Sequence, residues 1–234
     1  MIDETTKSRA KEFLKALKAD LLSQIRSPRE MQTEIKKTVA AAKHDPSMKH
    51  MRQPEDAFLY RYVFPAIRQR VADLLGTGKA QEAILSEYFR NMQEFCVKSP
   101  ARTRRHPFSK ELQIKPHSLM AKWRGEPSKA FTKACPDIAL NEPFKIVFEG
   151  KYFATNSSVV AETTLVRGIY EAIFYRGLPY VPPNGQSPAW DYDFACLVAC
   201  DVSRDGDLKA AWRSLRREVK NGFWDGANIY VMIL

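Results

Sequence analysis

Pro136-Asp137 and, eleven residues later, Glu149-Gly150-Lys151 bring two carboxylates and one lysine into a short span of chain. Carboxylate oxygens suit a hard divalent ion such as Mg2+, and a neighbouring ammonium group can neutralise charge that develops on a phosphoryl group. The chemistry open to such a set is hydrolysis of a phosphodiester against a bound metal ion.

That chemistry requires the three side chains to converge. Phe144-Lys145-Ile146-Val147-Phe148 is rich in aromatic and β-branched residues and follows the turn signature Asn141-Glu142-Pro143, which predicts a strand from Lys145 to Phe153. Side chains alternate along a strand, so Glu149 and Lys151 share one face while Gly150 exposes backbone between them. A short strand from Asp137 to Leu140, joined to the first by about five residues, would set Asp137 directly across an antiparallel pair from Glu149. Three other acid-x-Lys triplets, Glu34-Ile35-Lys36, Asp207-Leu208-Lys209 and Glu218-Val219-Lys220, fall in helical patterns. Residues i and i+2 of a helix diverge by about 200°, so none of these can present its pair to one ligand.

The chain has 234 residues, long enough for one large domain or a core with an appended lobe. Its 37 Lys and Arg against 27 Asp and Glu give a net charge of +10, which favours polyanionic partners. The four cysteines, Cys96, Cys135, Cys196 and Cys200, include no CxxC pair, and the four histidines form no zinc pattern with them. Cys196 and Cys200 lie in the apolar run Phe194 to Cys200 and read as buried free thiols of a reduced compartment. No apolar stretch approaches membrane-spanning length, and Met1-Ile2-Asp3-Glu4 is polar and acidic, so a cytoplasmic protein is expected.

The first hundred residues look helical. Phe13, Leu14, Leu17, Leu21, Leu22 and Ile25 form one apolar stripe; Ser27-Pro28-Arg29-Glu30 then carries the cap hydroxyl, first-turn proline and acid of a second helix, buried through Met31, Ile35 and Val39. Lys43 to Glu55 reads as a linker, and Phe58 to Leu75 as a helix kinked at Pro65. A helix is expected over Ala80 to Val97, with Glu87 and Glu94 flanking its buried row. Between Ser99 and Ala130 the periodicity weakens while Arg102, Arg104, Arg105, Lys110 and Arg124 accumulate, which suits either a loop along a phosphate backbone or a solvated basic loop. Ser158 could cap a helix to Arg176 with Leu165, Val166, Ile169, Tyr170, Ile173 and Phe174 as its stripe. After a loop over Pro179 to Pro188 come a buried strand, Tyr192 to Val202, one helix through Leu208, Ala211, Trp212, Leu215 and Val219 closed by Asn221-Gly222, and a last strand, Ala227 to Leu234. Arg213, Arg216, Arg217 and Lys220 would complement the dipole at the end of that helix. The expected fold class is α/β, or α+β mixed: a central mixed sheet flanked by helices, with a helical lobe over residues 1–78 and the sheet domain over residues 79–234.

From about Ala80 to Leu234 this order, with Pro136, Asp137, Glu149 and Lys151, resembles the PD-(D/E)xK nuclease superfamily, the fold of many type II restriction endonucleases. The resemblance implies a restriction-endonuclease-like sheet and a Mg2+-dependent endonuclease, with Mn2+ able to substitute. Asp137, Glu149 and the backbone carbonyl of Gly150 look like metal ligands, Lys151 looks like the residue that orients the attacking water, and Glu87 or Glu94 could add an acid from the helix before the sheet. It further implies a homodimer cutting double-stranded DNA at a short site, with the N-terminal lobe serving dimerisation or target recognition. Phosphate contacts would come from Arg102, Arg104, Arg105, Lys110 and Arg124. A structure-specific repair or mobile-element nuclease, a catalytically silent DNA-binding module, and a helical interaction protein in which the motif is accidental are the alternatives. The superfamily's iron-sulfur members need clustered cysteines that this chain lacks.

Overall fold

A computed structural model describes residues 2–25, 27–75, 137–140, 143–176 and 192–234. The expected helix over Ala80 to Val97 with Glu87 and Glu94, the basic segment with Arg102, Arg104, Arg105, Lys110 and Arg124, and the loop over Pro179 to Pro188 lie outside the described residues.

Helix α1 (Glu4–Gln24) starts at Asp3, whose carboxylate accepts the Thr6 backbone N–H at 2.8 Å, and buries Phe13, Leu14, Leu17 and Leu21 as the stripe predicts. Leu22, counted with that stripe, is exposed instead. Helix α2 (Pro28–His44) begins as expected, with the Ser27 hydroxyl accepting the Glu30 N–H and Pro28 at the first helical position. The segment read as a linker is structured: a 3-10 turn (Pro46–Met51) leads into α3 (Pro54–Phe58). Arg52 Nε donates to the Ala42 carbonyl at 3.0 Å, satisfying an acceptor left open by the end of α2. The irregularity assigned to Pro65 lies just before it, in a π-turn (Leu59–Val63) ahead of α4 (Phe64–Leu75). Proline cannot donate to the preceding turn and its ring crowds that turn's carbonyl; a widened turn, in which the Phe64 N–H reaches back to Leu59, makes room for it.

The sheet runs in the order β1 (Ile138–Leu140), β2 (Ile146–Phe153), β3 (Phe194–Asp201), β4 (Ile229–Ile233). β1 is antiparallel to β2, with Ile138 opposite Phe148; β2, β3 and β4 are mutually parallel. The fold is thus mixed, with helices on both faces of the sheet. Ile146, Phe148, Phe194, Cys196, Val198, Cys200 and Met232 share one apolar core with residues of α1, α2, α3 and α4. The alternate residues Phe153, Leu197, Ala199 and Ile233 pack against α5 (Ser158–Arg176) and α6 (Asp207–Ser214). Residues 4–75 therefore cover one face of the sheet whose other face meets α5.

Two helical readings are corrected. α5 is capped by Ser157 rather than Ser158, since the Ser157 hydroxyl and carbonyl accept the N–H groups of Val160 and Ala161. Its buried face is Ala161, Leu165, Gly168, Ile169 and Ala172, while Val166, Tyr170 and Ile173 are exposed. α5 lies so close to the sheet that a Cβ on Gly168 would come within 2.8 Å of Leu197, so small residues face inward and part of the bulky stripe does not. The single helix expected from Leu208 is two: α6 ends at Leu215, in extended backbone, and α7 (Arg217–Asp225) runs past Asn221-Gly222. Lys220 Nζ reaches back to the Arg213 carbonyl at 3.2 Å, and Trp224, stacked on Phe194 at 5.4 Å, anchors α7 where Val219 does not. Arg213 alone of the four cations then lies in a last helical turn; Arg217 opens a helix.

Cys196 and Cys200 are buried free thiols, as expected. Burial pushes both upward, Cys200 to about 12, which makes them inert parts of the core. Among the described residues no helix is long and apolar enough to cross a membrane.

Candidate active site

The register of β1 on β2 determines where the first acid lies. Ile138 faces Phe148, and one step further along the same register places Asp137 opposite Glu149, as the hairpin reading requires. β1 stops there. The Phe194 and Val202 N–H groups donate to the carbonyls of Lys145 and Phe153, so the odd-numbered residues of β2 turn their backbone towards β3 and the even-numbered ones towards β1. Gly150 lies beyond the end of β1, and its N–H donates to Asp137 Oδ2 at 2.7 Å in place of a strand partner. Its carbonyl leaves the strand on the same side. Side-chain bulk is excluded here: a Cβ on Gly150 would meet the Leu59 side chain at 2.7 Å, so the π-turn packs directly on the glycine.

Glu149 and Lys151 project from the opposite face, towards α5, and touch: Lys151 Nζ donates to Glu149 Oε1 at 2.5 Å. Asp137, Glu149 and Lys151 are all buried. Two further acids, neither foreseen from the sequence, complete the group. Glu171 of α5 approaches Lys151 Nζ at 2.9 Å through Oε2, as an ion-pair contact rather than a directed hydrogen bond, and Glu55 of α3 stands 3.6 Å from it. Glu55 lay in the stretch read as a linker. Glu171 lay on a helix read for its bulky apolar positions, although the small residues Gly168 and Ala172 beside it mark the face that meets the sheet. The lysine stem uses the space this leaves, since a Cβ on Gly168 would come within 3.1 Å of Lys151 Cγ.

The electrostatics follow from the convergence. Burial, and then repulsion from Asp137, hold Glu149 well above the usual carboxylate range despite Lys151 beside it. Burial likewise raises Glu55, to about 7, with Lys151 opposing and Asp137 and Glu171 adding to the rise. For Lys151 burial favours loss of the proton, but the charges of Glu149, Glu55 and Asp137 outweigh it and hold the group as an ammonium. Glu171 is lowered: burial alone would raise it, but Lys151 and the Arg167 hydrogen bond prevail. Tyr175, one helical turn beyond Glu171, is raised by burial and then by Glu149 and Glu171, so its hydroxyl remains protonated beside the acids.

Asp137, Glu149 and the Gly150 carbonyl offer the hard oxygen donors that Mg2+ takes, and among the described residues Glu149 Oε2 is buried without a directed hydrogen-bond partner. The donor set fits a divalent ion completed by water, although among the described residues no group of three His, Cys, Asp or Glu side chains is set around one ion position. No family model matches the chain, and neither a curated protein nor a solved structure matches it.

Proposed function

We propose that the protein is a Mg2+-dependent endonuclease of the PD-(D/E)xK type, hydrolysing phosphodiester bonds of double-stranded DNA at a short site in the manner of a type II restriction endonuclease. The observation that carries this reading is the convergence of Asp137, Glu149 and Lys151: Asp137 accepts the N–H of Gly150, the residue between the other two, and the lysine contacts Glu149 at 2.5 Å. Asp137, Glu149 and the Gly150 carbonyl would hold the ion. When bound, Mg2+, or Mn2+ in its place, polarises the phosphoryl oxygens and lowers the pKa of a coordinated water.

The chain's own residues supply the rest. Lys151, held cationic by the acids around it, would donate to the attacking water and to the phosphoryl oxygens on which charge accumulates. Asp137, by accepting the Gly150 N–H, fixes the strand edge from which the Gly150 carbonyl points. The net charge of +10 favours approach of a polyanion. A homodimer, which lets two sites cut both strands, is supported by the exposed apolar side chains of α5, where Val159, Val166 and Tyr170 are 72, 66 and 65 % exposed.

Digestion of linear duplex plasmid with and without Mg2+ tests the reading. Discrete bands that need Mg2+ and vanish in Asp137→Ala or Lys151→Ala, with DNA binding nearly unchanged, are expected. A smear, or cutting of branched DNA alone, would move the reading to a structure-specific nuclease of the same chemistry. DNA binding without cleavage under any divalent ion would leave a silent binding module.

A further inference from the structure

We infer that Glu171 is a positioning residue for Lys151, holding its ammonium group at the scissile phosphate from α5 while Glu149 holds it from its own strand; this rests on the nuclease reading above. Lysine is a long, flexible cation, and a catalytic ammonium must be fixed within a fraction of an ångström to donate along a useful direction. Glu149 cannot fix it alone. That carboxylate belongs to the same strand two residues away, and in the proposed reaction it turns oxygen to the ion.

Glu171 comes from a different element, so its contact with Lys151 spans the gap between α5 and β2. Its own carboxylate is constrained: the second oxygen accepts from Arg167 Nε at 2.9 Å, one turn earlier on α5. Arg167 is 73 % exposed and Glu171 only 20 %, so the pair runs from solvent inward to a lysine that is 11 % exposed. Gly168, between Arg167 and Glu171, lets α5 approach closely enough for the reach, since any Cβ there would press on Lys151 Cγ and on Leu197. The bridge between helix and strand therefore depends on one small residue and one acid of the helix. With Glu171 removed, Lys151 retains Glu149 at 2.5 Å and Glu55 at 3.6 Å, partners that keep its charge but do not tie it to α5.

The test compares the wild-type chain with Glu171→Ala, Glu171→Gln and Glu171→Asp in Mg2+-dependent plasmid cleavage, and follows the Lys151 ammonium 1H–15N resonance without added metal. Glu171→Ala is expected to lower kcat by roughly 10- to 100-fold, the usual cost of losing a group that orients a reacting residue, with KM for DNA within about twofold. The ammonium resonance should shift or broaden. Glu171→Gln, which keeps an oxygen at the same reach, should recover more activity than the shorter Glu171→Asp. A wild type that cuts beside a Glu171→Ala variant with unchanged kcat and resonance overturns the positioning role alone. A wild type that does not cut under Mg2+ or Mn2+ overturns the nuclease reading and this role with it, whatever the resonance shows.

Discussion

The two faces of β2 are made by one eight-residue strand and are chemically opposite. On one, Ile146 and Phe148 are fully buried in apolar contact with the N-terminal helices, and Gly150 lies under Leu59. On the other, Val147 and Phe153 bracket Glu149 and Lys151, which are just as hidden from water but carry charge. Burying an aliphatic or aromatic side chain contributes roughly 1.5–3 kcal/mol to folding, whereas a buried ion pair commonly breaks even at best against an apolar pair of the same volume. A strand that serves stability alone has no reason to carry the second arrangement. The difference separates what the fold needs from what the proposed chemistry needs, within a few ångströms.

Substitutions on the charged face should have the largest effect and should show it in catalysis. Asp137→Asn keeps side-chain length and Lys151→Met keeps an unbranched stem through Cγ, so the strand edge and the packing against Gly168 persist. Plasmid cleavage under Mg2+ should fall by about 10³-fold or more in each, while far-UV circular dichroism and affinity for duplex DNA in Ca2+ remain close to wild type. Loss of binding in step with activity would mean that these groups belong to the DNA-contact surface instead.

On the apolar face the converse is expected. Phe148→Ala removes a ring with no exposed area from the core shared by the sheet and the N-terminal helices, and should cost about 3–5 kcal/mol in urea unfolding. Cleavage per folded molecule should change little. A Phe148→Ala chain that stays folded but loses activity by orders of magnitude would show that the two faces are not separable.

Much of this contrast is legible in residue order, because it is local. Alternation along Phe144 to Phe153, the Asn141-Glu142-Pro143 turn and the Ser27 cap all act over a few residues, and the structure has the strand, the register and the cap where they predict. What was hidden is long-range. Glu55 is 96 residues before Lys151, and its approach depends on α3 folding where two prolines suggested only a linker. Glu171 is hidden for a different reason: helix periodicity favours large apolar residues, but a helix pressed onto a sheet buries glycine and alanine. The break between α6 and α7 carries no glycine or proline at Leu215-Arg216, and tertiary anchoring by Trp224 overrides the continuous 3.6-residue pattern.

Gly150 lies on the apolar face but donates its N–H to Asp137, and it gives a smaller, mixed effect. Gly150→Ala sets a methyl 2.7 Å from the Leu59 side chain, so that flexible side chain, or the π-turn that carries it, must shift. Overpacking of this kind costs about 1–3 kcal/mol. Because Gly150 also donates to Asp137, the same shift should lower cleavage by more than the lost stability accounts for. Pairing Gly150→Ala with Leu59→Ala, which opens the space, distinguishes the two contributions. Recovery of activity along with stability would place the whole effect in packing.

The smallest effect is the one that depends most on charge, and it appears as a pH dependence of stability without metal. Glu149 and Glu55 both bind a proton more tightly in the folded chain than at their ordinary value of 4.5, Glu55 up to about 7, with burial the first cause in each. Above 4.5 the unfolded chain releases these protons while the folded chain still holds them, so folding takes up protons and stability falls as pH rises. For Glu55 the fall is complete once pH passes about 7; for Glu149 it extends in the same direction. In EDTA, wild-type Tm should therefore decline between pH 5 and pH 8 by more than that of Glu149→Gln or Glu55→Gln, and Glu149→Gln should exceed wild type at pH 8 by roughly 2–4 °C. Phe148→Leu, on the apolar face, should lower Tm by the same amount at both pH values. A wild-type Tm that rises across this interval, with both Gln variants following it, would mean that the acids are paired more strongly than they are desolvated, and the charged face would then stabilise the fold as the apolar face does.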